Sequence, residues 1–334
     1  MKAAYLERTG PPEVIQYGEL PLPAIKANQL RVRVHAVAVN PIDTYLRSGL
    51  VPMEIPLPFV VGCDFAGVVE AVGLDVKQFR VGDRVWGSNQ GLLGRHGTFS
   101  EQVAVDEVWA YPTPAGVSDD LAAAGALVGI TAHLGLVREA RLQKGESIFI
   151  QGGSGGVGTA VLQIAKALGA RVFCSAGSDA KVELCRQLGA DAVFNYRTQD
   201  VAAELKKVAP AGVNVWWETT REPDFDLAVA ALAARGRYVL MAGRDARPPF
   251  PVGPFYVKGC SLHGFVMFAA SPDEQRNAAQ DLNRWLTGGQ YRPRIDRILP
   301  LSETAAAHRL QEESTVLKKG GLAGKLVLRP EALI

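Results

Sequence analysis

The chain has 334 residues, enough for two domains and an ample core. With 48% apolar and 21% charged residues it has the composition of an ordinary globular protein, and a formal net charge of +2 offers little to nucleic acid or an anionic membrane. The opening Met1-Lys-Ala-Ala-Tyr-Leu-Glu-Arg8 carries charge early, and no uninterrupted apolar run reaches the ~20 residues of a spanning helix, so no membrane partner and a cytoplasmic protein are expected.

Residues 1 to about 121 read as β-rich and turn-rich. Residues 30–39 alternate polar and apolar with period two, the mark of a half-buried strand, and 68–72 and 84–86 read as further strands. Pro21, Pro23, Pro41, Pro52, Pro56 and Pro58 exclude long helices between them. From Ser118 the pattern changes. Residues 119–127 and 131–137 read as two helices. Strands are then predicted at 147–151, 171–175, 192–195, 213–218, 237–242 and 261–265, with helices at 157–168, 179–188, 200–208 and 224–234 between them. Apolar strands alternating with amphipathic helices mean βαβ units and a parallel sheet covered on both faces. The tail from about 266 holds one helix, 272–288, and a strand at 324–328, which is best placed back on the first, β-rich domain. The expected division is therefore 1–121, 122–265 and a return at 266–334.

The stretch Ser147-Ile-Phe-Ile-Gln-Gly-Gly-Ser-Gly-Gly-Val-Gly158 carries the most information. Gly153, Gly155 and Gly158 match G-x-G-x-x-G between a predicted strand and a predicted helix. The glycines let the backbone turn tightly and approach a pyrophosphate, and the helix N-terminus offers free N–H groups to the anion. Ser154, Gly155, Gly156 and Val157 are thus dinucleotide-contact candidates. An NAD-selective site places an acid at the end of the second strand of such a unit. Here that strand ends Phe173-Cys-Ser-Ala-Gly177, with no acid. Asp179 follows in the next helix, where it reads as a cap, and Lys181 lies just beyond. Met241, Ala242, Gly243 and Phe265 fall at strand C-termini, where open α/β sheets bind ligands. Cys63, Cys174, Cys185 and Cys260 form no C-x-x-C pair and read mostly as buried free thiols.

Several linked motifs resemble the medium-chain dehydrogenase/reductase superfamily, and within it the zinc-independent quinone oxidoreductases related to zeta-crystallin. They are Gly10-Pro-Pro-Glu-Val-Ile15, Val39-Asn-Pro-Ile-Asp-Thr-Tyr-Leu-Arg-Ser-Gly49, Gly62-Cys-Asp-Phe-Ala-Gly-Val-Val-Glu70, Val81-Gly-Asp-Arg-Val85, Gly152–Gly158, Leu188-Gly-Ala-Asp-Ala-Val-Phe-Asn-Tyr-Arg197 and Gly324-Lys-Leu-Val-Leu328. The resemblance implies an α/β protein with a GroES-like β-rich barrel domain and a Rossmann doubly wound six-stranded parallel sheet, with the active site in the cleft between them. It also implies a homodimer or homotetramer.

The same resemblance implies reduction of a quinone or related electron-poor carbonyl acceptor by NADPH. Ser175, Lys181 and Tyr196 match residues around the 2′-phosphate; Thr131 and Lys325 match positions near the cofactor. Asn40, Asp43 and Tyr45 match the cleft lining: Asn40 as a donor to the nicotinamide or the acceptor oxygen, Tyr45 as a hydroxyl donor, and Asp43 as an orienting group rather than a base. Zinc-dependent cousins carry Cys where Asn40 stands and His-Glu where Cys63-Asp64 stands. Asn40, Cys63 and Asp64 are a poor ligand set, so no metal is expected. An enone or enoyl-thioester reductase is the alternative; Val51, where relatives place a Tyr, weighs against the thioester. A zinc alcohol dehydrogenase is the remoter one. Trp216-Trp-Glu-Thr-Thr-Arg-Glu222 departs from the usual Asp-x-Val-Gly.

Overall fold

The computed structural model describes residues 1–317 and 319–330. It divides into two compact units. One comprises 1–127, 271–287 and 293–334, the other 128–270 and 288–292.

In the first unit β1 (Lys2–Leu6) pairs with β2 (Gln16–Glu19), and β3 (Gln29–Ala38) runs straight into α1 (Pro41–Ser48). β4 (Phe59–Val60), β5 (Phe65–Val72), β6 (Arg84–Gly87), β7 (Gln102–Asp106) and β8 (Ala110–Pro112) follow. α1 was not among the predicted helices. Pro41 takes the first helical position, where its missing N–H costs nothing. α2 (Asp119–His133) then starts in this unit and continues into the second, and a π-turn extends it to Glu139. The two helices expected here are one, because no residue between 127 and 131 breaks the helical run. It is long and apolar enough to cross a membrane, yet 78% of its apolar window is buried in the fold, as befits a core helix.

In the second unit β9 (Ser147–Gln151), α3 (Gly156–Ala167), β10 (Arg171–Ala176), α4 (Asp179–Gln187), β11 (Ala192–Asn195), α5 (Val201–Val208), β12 (Val213–Glu218), α6 (Phe225–Ala231), β13 (Leu232–Leu240), α7 (Val252–Val257) and β14 (Ser261–Gly264) alternate. The strands form one parallel sheet in the order β11-β10-β9-β12-β13-β14, the doubly wound dinucleotide-binding arrangement, with its switch point between β9 and β12. β13 starts at Leu232, inside the stretch expected to finish α6. Phe149, Phe173, Trp216, Phe225 and Tyr238 fill one side of the core.

α8 (Pro272–Thr287), β15 (Ile295–Pro300), α9 (Thr304–Thr315) and β16 (Lys325–Arg329) return to the first unit apart from the short 288–292 link. There the larger sheet runs β15-β16-β3-β5-β6-β8, with β7 also on β3. β16 lies antiparallel to the end of β3, Val327 opposite Ala38 and Leu328 opposite Val37.

Candidate active site

In the first unit that pairing brings Lys325 to Asn40. The Lys325 ammonium donates to the Val39 carbonyl at 2.7 Å and to Asn40 Oδ1, and stands 3.9 Å from Asp64 Oδ2. Lys325 is buried, 5% exposed. Asn40 is fully buried. Its Nδ2 donates to Asp64 Oδ2 at 2.8 Å and to the Ala38 carbonyl at 3.2 Å. Both amide protons and the amide oxygen are thus engaged within the cluster.

Asp64 is the hub of the cluster, which sequence reading had noted only as a poor metal ligand. Its Oδ1 accepts from Ser88 Oγ at 2.7 Å and from the Leu127 N–H at 3.1 Å. Asp43, third residue of α1, accepts the Asn40 N–H at 2.7 Å, the return arm of a capping box. It is buried, and burial, with help from the Asp64 charge, pushes its carboxyl up to about 7. The sequence had shown nothing to raise it. The Cys63 thiol is pushed well above its usual value, first by burial and then by the Asp43 and Asp64 charges. Burial raises Asp64 and lowers Lys325, each opposed by the other's charge. Tyr45 is half-buried on α1, two residues from Asp43, a spacing that places the two side chains on different faces.

In the second unit the loop between β9 and α3 is shaped by close approach. A side chain on Gly158 would place its first carbon 2.2 Å from the Gly152 carbonyl oxygen. At Gly155, the residue that caps α3, the nearest atom would be 3.7 Å away. The loop is thus sealed beneath and open at Gly155, with the N–H groups of Gly156 and Val157 in the unpaired first turn; Ser154 is buried. These residues fit a pyrophosphate.

Ser175 is fully buried: its hydroxyl accepts from the Gly152 N–H at 3.1 Å and donates to Gln151 Oε1 at 3.1 Å. It braces the loop and does not face outward to a phosphate. Ser178, not Asp179, caps α4, while Asp179 accepts from Asn195 Nδ2 at 2.8 Å. Lys181 is half-buried in the first turn of α4 and pairs with no carboxylate among the described residues. Tyr196, 51% exposed, lies over Gly177, leaving no room there for a side chain.

Thr131 is buried mid-helix in α2, not at a helix start. Met241, Ala242 and Gly243 are half-buried just past β13, and Phe265 meets Trp217 edge-on at 6.2 Å. In the departing loop, Glu218 is buried and accepts from Trp216 Nε1 at 3.3 Å, Tyr238 Oη at 3.1 Å and the Thr220 N–H at 2.8 Å. Thr219 Oγ1 reaches the Gln151 carbonyl, tying β12 to the glycine loop.

Residues 26–115 match the alcohol dehydrogenase GroES-like domain family, and 156–284 match the family described as zinc-binding dehydrogenase. A quinone oxidoreductase of Sus scrofa is 33% identical over 98% of this chain and 97% of its own. The Escherichia coli quinone oxidoreductase solved with NADPH superposes with a TM-score of 0.86 at 27% identity, covering 99% of this chain and all of that one. A solved NAD-dependent alcohol dehydrogenase gives 0.89 at 30% identity over 98% of this chain and 99% of its own.

The zinc in one family's description meets a poor fit here. Three oxygen and nitrogen partners already occupy the Asp64 carboxylate, the Cys63 thiol is held protonated, and the Lys325 ammonium already supplies the cluster's positive charge. Among the described residues no three His, Cys, Asp or Glu side chains are set to hold one ion. With both halves of the chain matched and the full-length likeness above, the chain belongs to the quinone oxidoreductase family of the medium-chain dehydrogenase/reductase superfamily, and is an oxidoreductase.

Proposed function

We propose that the protein reduces quinones or related electron-poor carbonyl compounds with NADPH, by hydride transfer and without metal. The observation that carries this is the end of β10. Ala176-Gly177-Ser178 presents no carboxylate to a ribose, the nearest acid is engaged by Asn195, and the unpaired Lys181 follows. A phosphate ~4 Å from a carboxylate at an effective dielectric of ~20 would be repelled by ~4 kcal/mol per unit charge. Replacing that acid by a lysine reverses the sign. Relatives named quinone oxidoreductase, one of them solved with NADPH, support the same reading.

NADPH, when bound, supplies the hydride. The chain's own residues hold and orient. Asp43 fixes the start of α1 and stores a proton near neutral pH. Lys325 and Asp64 lock Asn40 in one rotamer. The glycine loop seats the pyrophosphate. Alignment and fixed dipoles can then supply most of the barrier lowering as charge builds on the acceptor oxygen.

The test is a pair of cofactor titrations. Lys181→Ala should raise KM for NADPH at least severalfold and leave KM for NADH unchanged; equal effects on both would sink the assignment. The NAD-dependent alcohol dehydrogenase likeness supports a second reading, which predicts wild-type preference for NADH and turnover of alcohols.

A cytoplasmic homodimer is part of the proposal. The outer edge of β14 pairs with no strand among the described residues, and Tyr256, Val257 and Leu262 are exposed beside it. Light scattering of the purified protein tests the dimer.

A further inference from the structure

Two asparagines of the first unit have opposite fates. The Asn40 amide is saturated. The Asn89 amide is 1% exposed, and neither its nitrogen nor its oxygen finds a partner among the described residues. Leaving two such atoms without a protein partner is costly, and a buried polar group of this kind needs an explanation.

The backbone around Asn89 is built to hold it in place. Its φ of +68° is left-handed, a region asparagine tolerates better than most residues. Arg95 clamps its carbonyl with two donors, Nε at 3.0 Å and Nη2 at 2.8 Å, and lies over the Trp109 ring with its guanidinium carbon 5.7 Å from the centroid. On the flanks, Ser88 bonds Asp64, and the Gln90 N–H points to the Cys63 carbonyl at 3.4 Å. An uncommon conformation held by so many neighbours characterises sites that present a group to a ligand. The loop thus joins Asn89 directly to the polar cluster.

We propose that Asn89 is the residue that recognises the acceptor's oxygen. Its NH2 donates to a quinone carbonyl, and its oxygen accepts from the hydroxyl of the quinol product. The amide's donor and acceptor match those two forms, whereas a charged side chain would match one alone. The loop continues into the outer turn Leu93-Gly94, which is exposed. This inference rests on the quinone reading above and adds the residue that discriminates among acceptors.

Two variants test it. Asn89→Gly keeps the left-handed backbone and deletes the amide; Asn89→Asp keeps the shape and replaces the donor by a carboxylate. With 1,4-naphthoquinone and saturating NADPH, Asn89→Gly should raise KM about threefold to tenfold, the range for one lost hydrogen bond. Its NADPH dissociation constant should stay within twofold and its Tm should not fall. Asn89→Asp should also lower kcat, because charge builds on the oxygen it faces. Unchanged KM and kcat in either folded variant would overturn the inference and leave Asn89 as the seat of a buried water. Wild-type protein that turns over no quinone would overturn the functional reading and this inference with it.

Discussion

The ammonium of Lys325 and the carboxylate of Asp64 lie 3.9 Å apart where solvent barely reaches either. Between them sits the Asn40 amide, bonded to both. Removing one partner of a buried pair leaves the other uncompensated. Lys325→Met should therefore cost about 3–5 kcal/mol in urea unfolding. Adding Asp64→Asn to that variant should restore part of the loss, so the double variant is more stable than the sum of the singles.

Asp43 sets a pH dependence of known sign. Its carboxyl titrates at about 7 in the folded chain, above the ~3.9 of an unperturbed Asp. The folded state holds the extra proton between those values, so this group's contribution is most favourable below about pH 4 and is lost as pH rises to about 7. Asp43→Asn keeps the bond to the Asn40 N–H and cannot titrate. Wild-type stability minus variant stability should fall between pH 5 and pH 8; a flat difference would refute the assignment.

His308 acts in the opposite direction. It is buried on α9, neither ring nitrogen has a partner among the described residues, and burial, then the Arg47 charge, pull it down to about 3. The unfolded chain binds its proton near ~6.5, so stability is lost as pH falls below that value. His308→Leu should stabilise the protein by about 1–3 kcal/mol by removing unpaired polar atoms. The gain should be larger at pH 5 than at pH 8 in thermal unfolding.

Gly155 and Gly158 should separate binding from folding. Gly158→Ala drives a carbon into the Gly152 carbonyl and should lower Tm sharply. Gly155→Ala meets nothing closer than 3.7 Å. It should leave Tm unchanged while weakening the dinucleotide at least tenfold by calorimetry, because the added methyl points where the phosphates approach.

The parallel sheet and its glycine loop were legible because their signals are local: a strand, a turn and a helix within a dozen residues. The polar cluster was not. Lys325 and Asn40 meet only through the pairing of β16 with β3, and no periodicity encodes that partner. The perturbation of Asp43 was invisible for the same reason, since burial is a property of the whole fold. α1 was hidden by Asn-Pro, a pair that starts turns and helices alike. The capping role moved from Asp179 to Ser178, one residue away, as helix ends commonly do. Asn89 gave no signal at all: its importance lies in what its amide fails to touch.

β16 occupies an interior place in its sheet, flanked by β15 and β3. A ribosome delivers β3 early and β16 only after the whole second unit has been synthesised. Until then the Val37–Ala38 end of β3, beyond the stretch that β7 covers, is an open template for a passing strand. Nascent chains stalled before β16 should therefore be captured by chaperones that recognise open sheet edges, while the second unit, drawn mostly from one stretch, can close as it emerges.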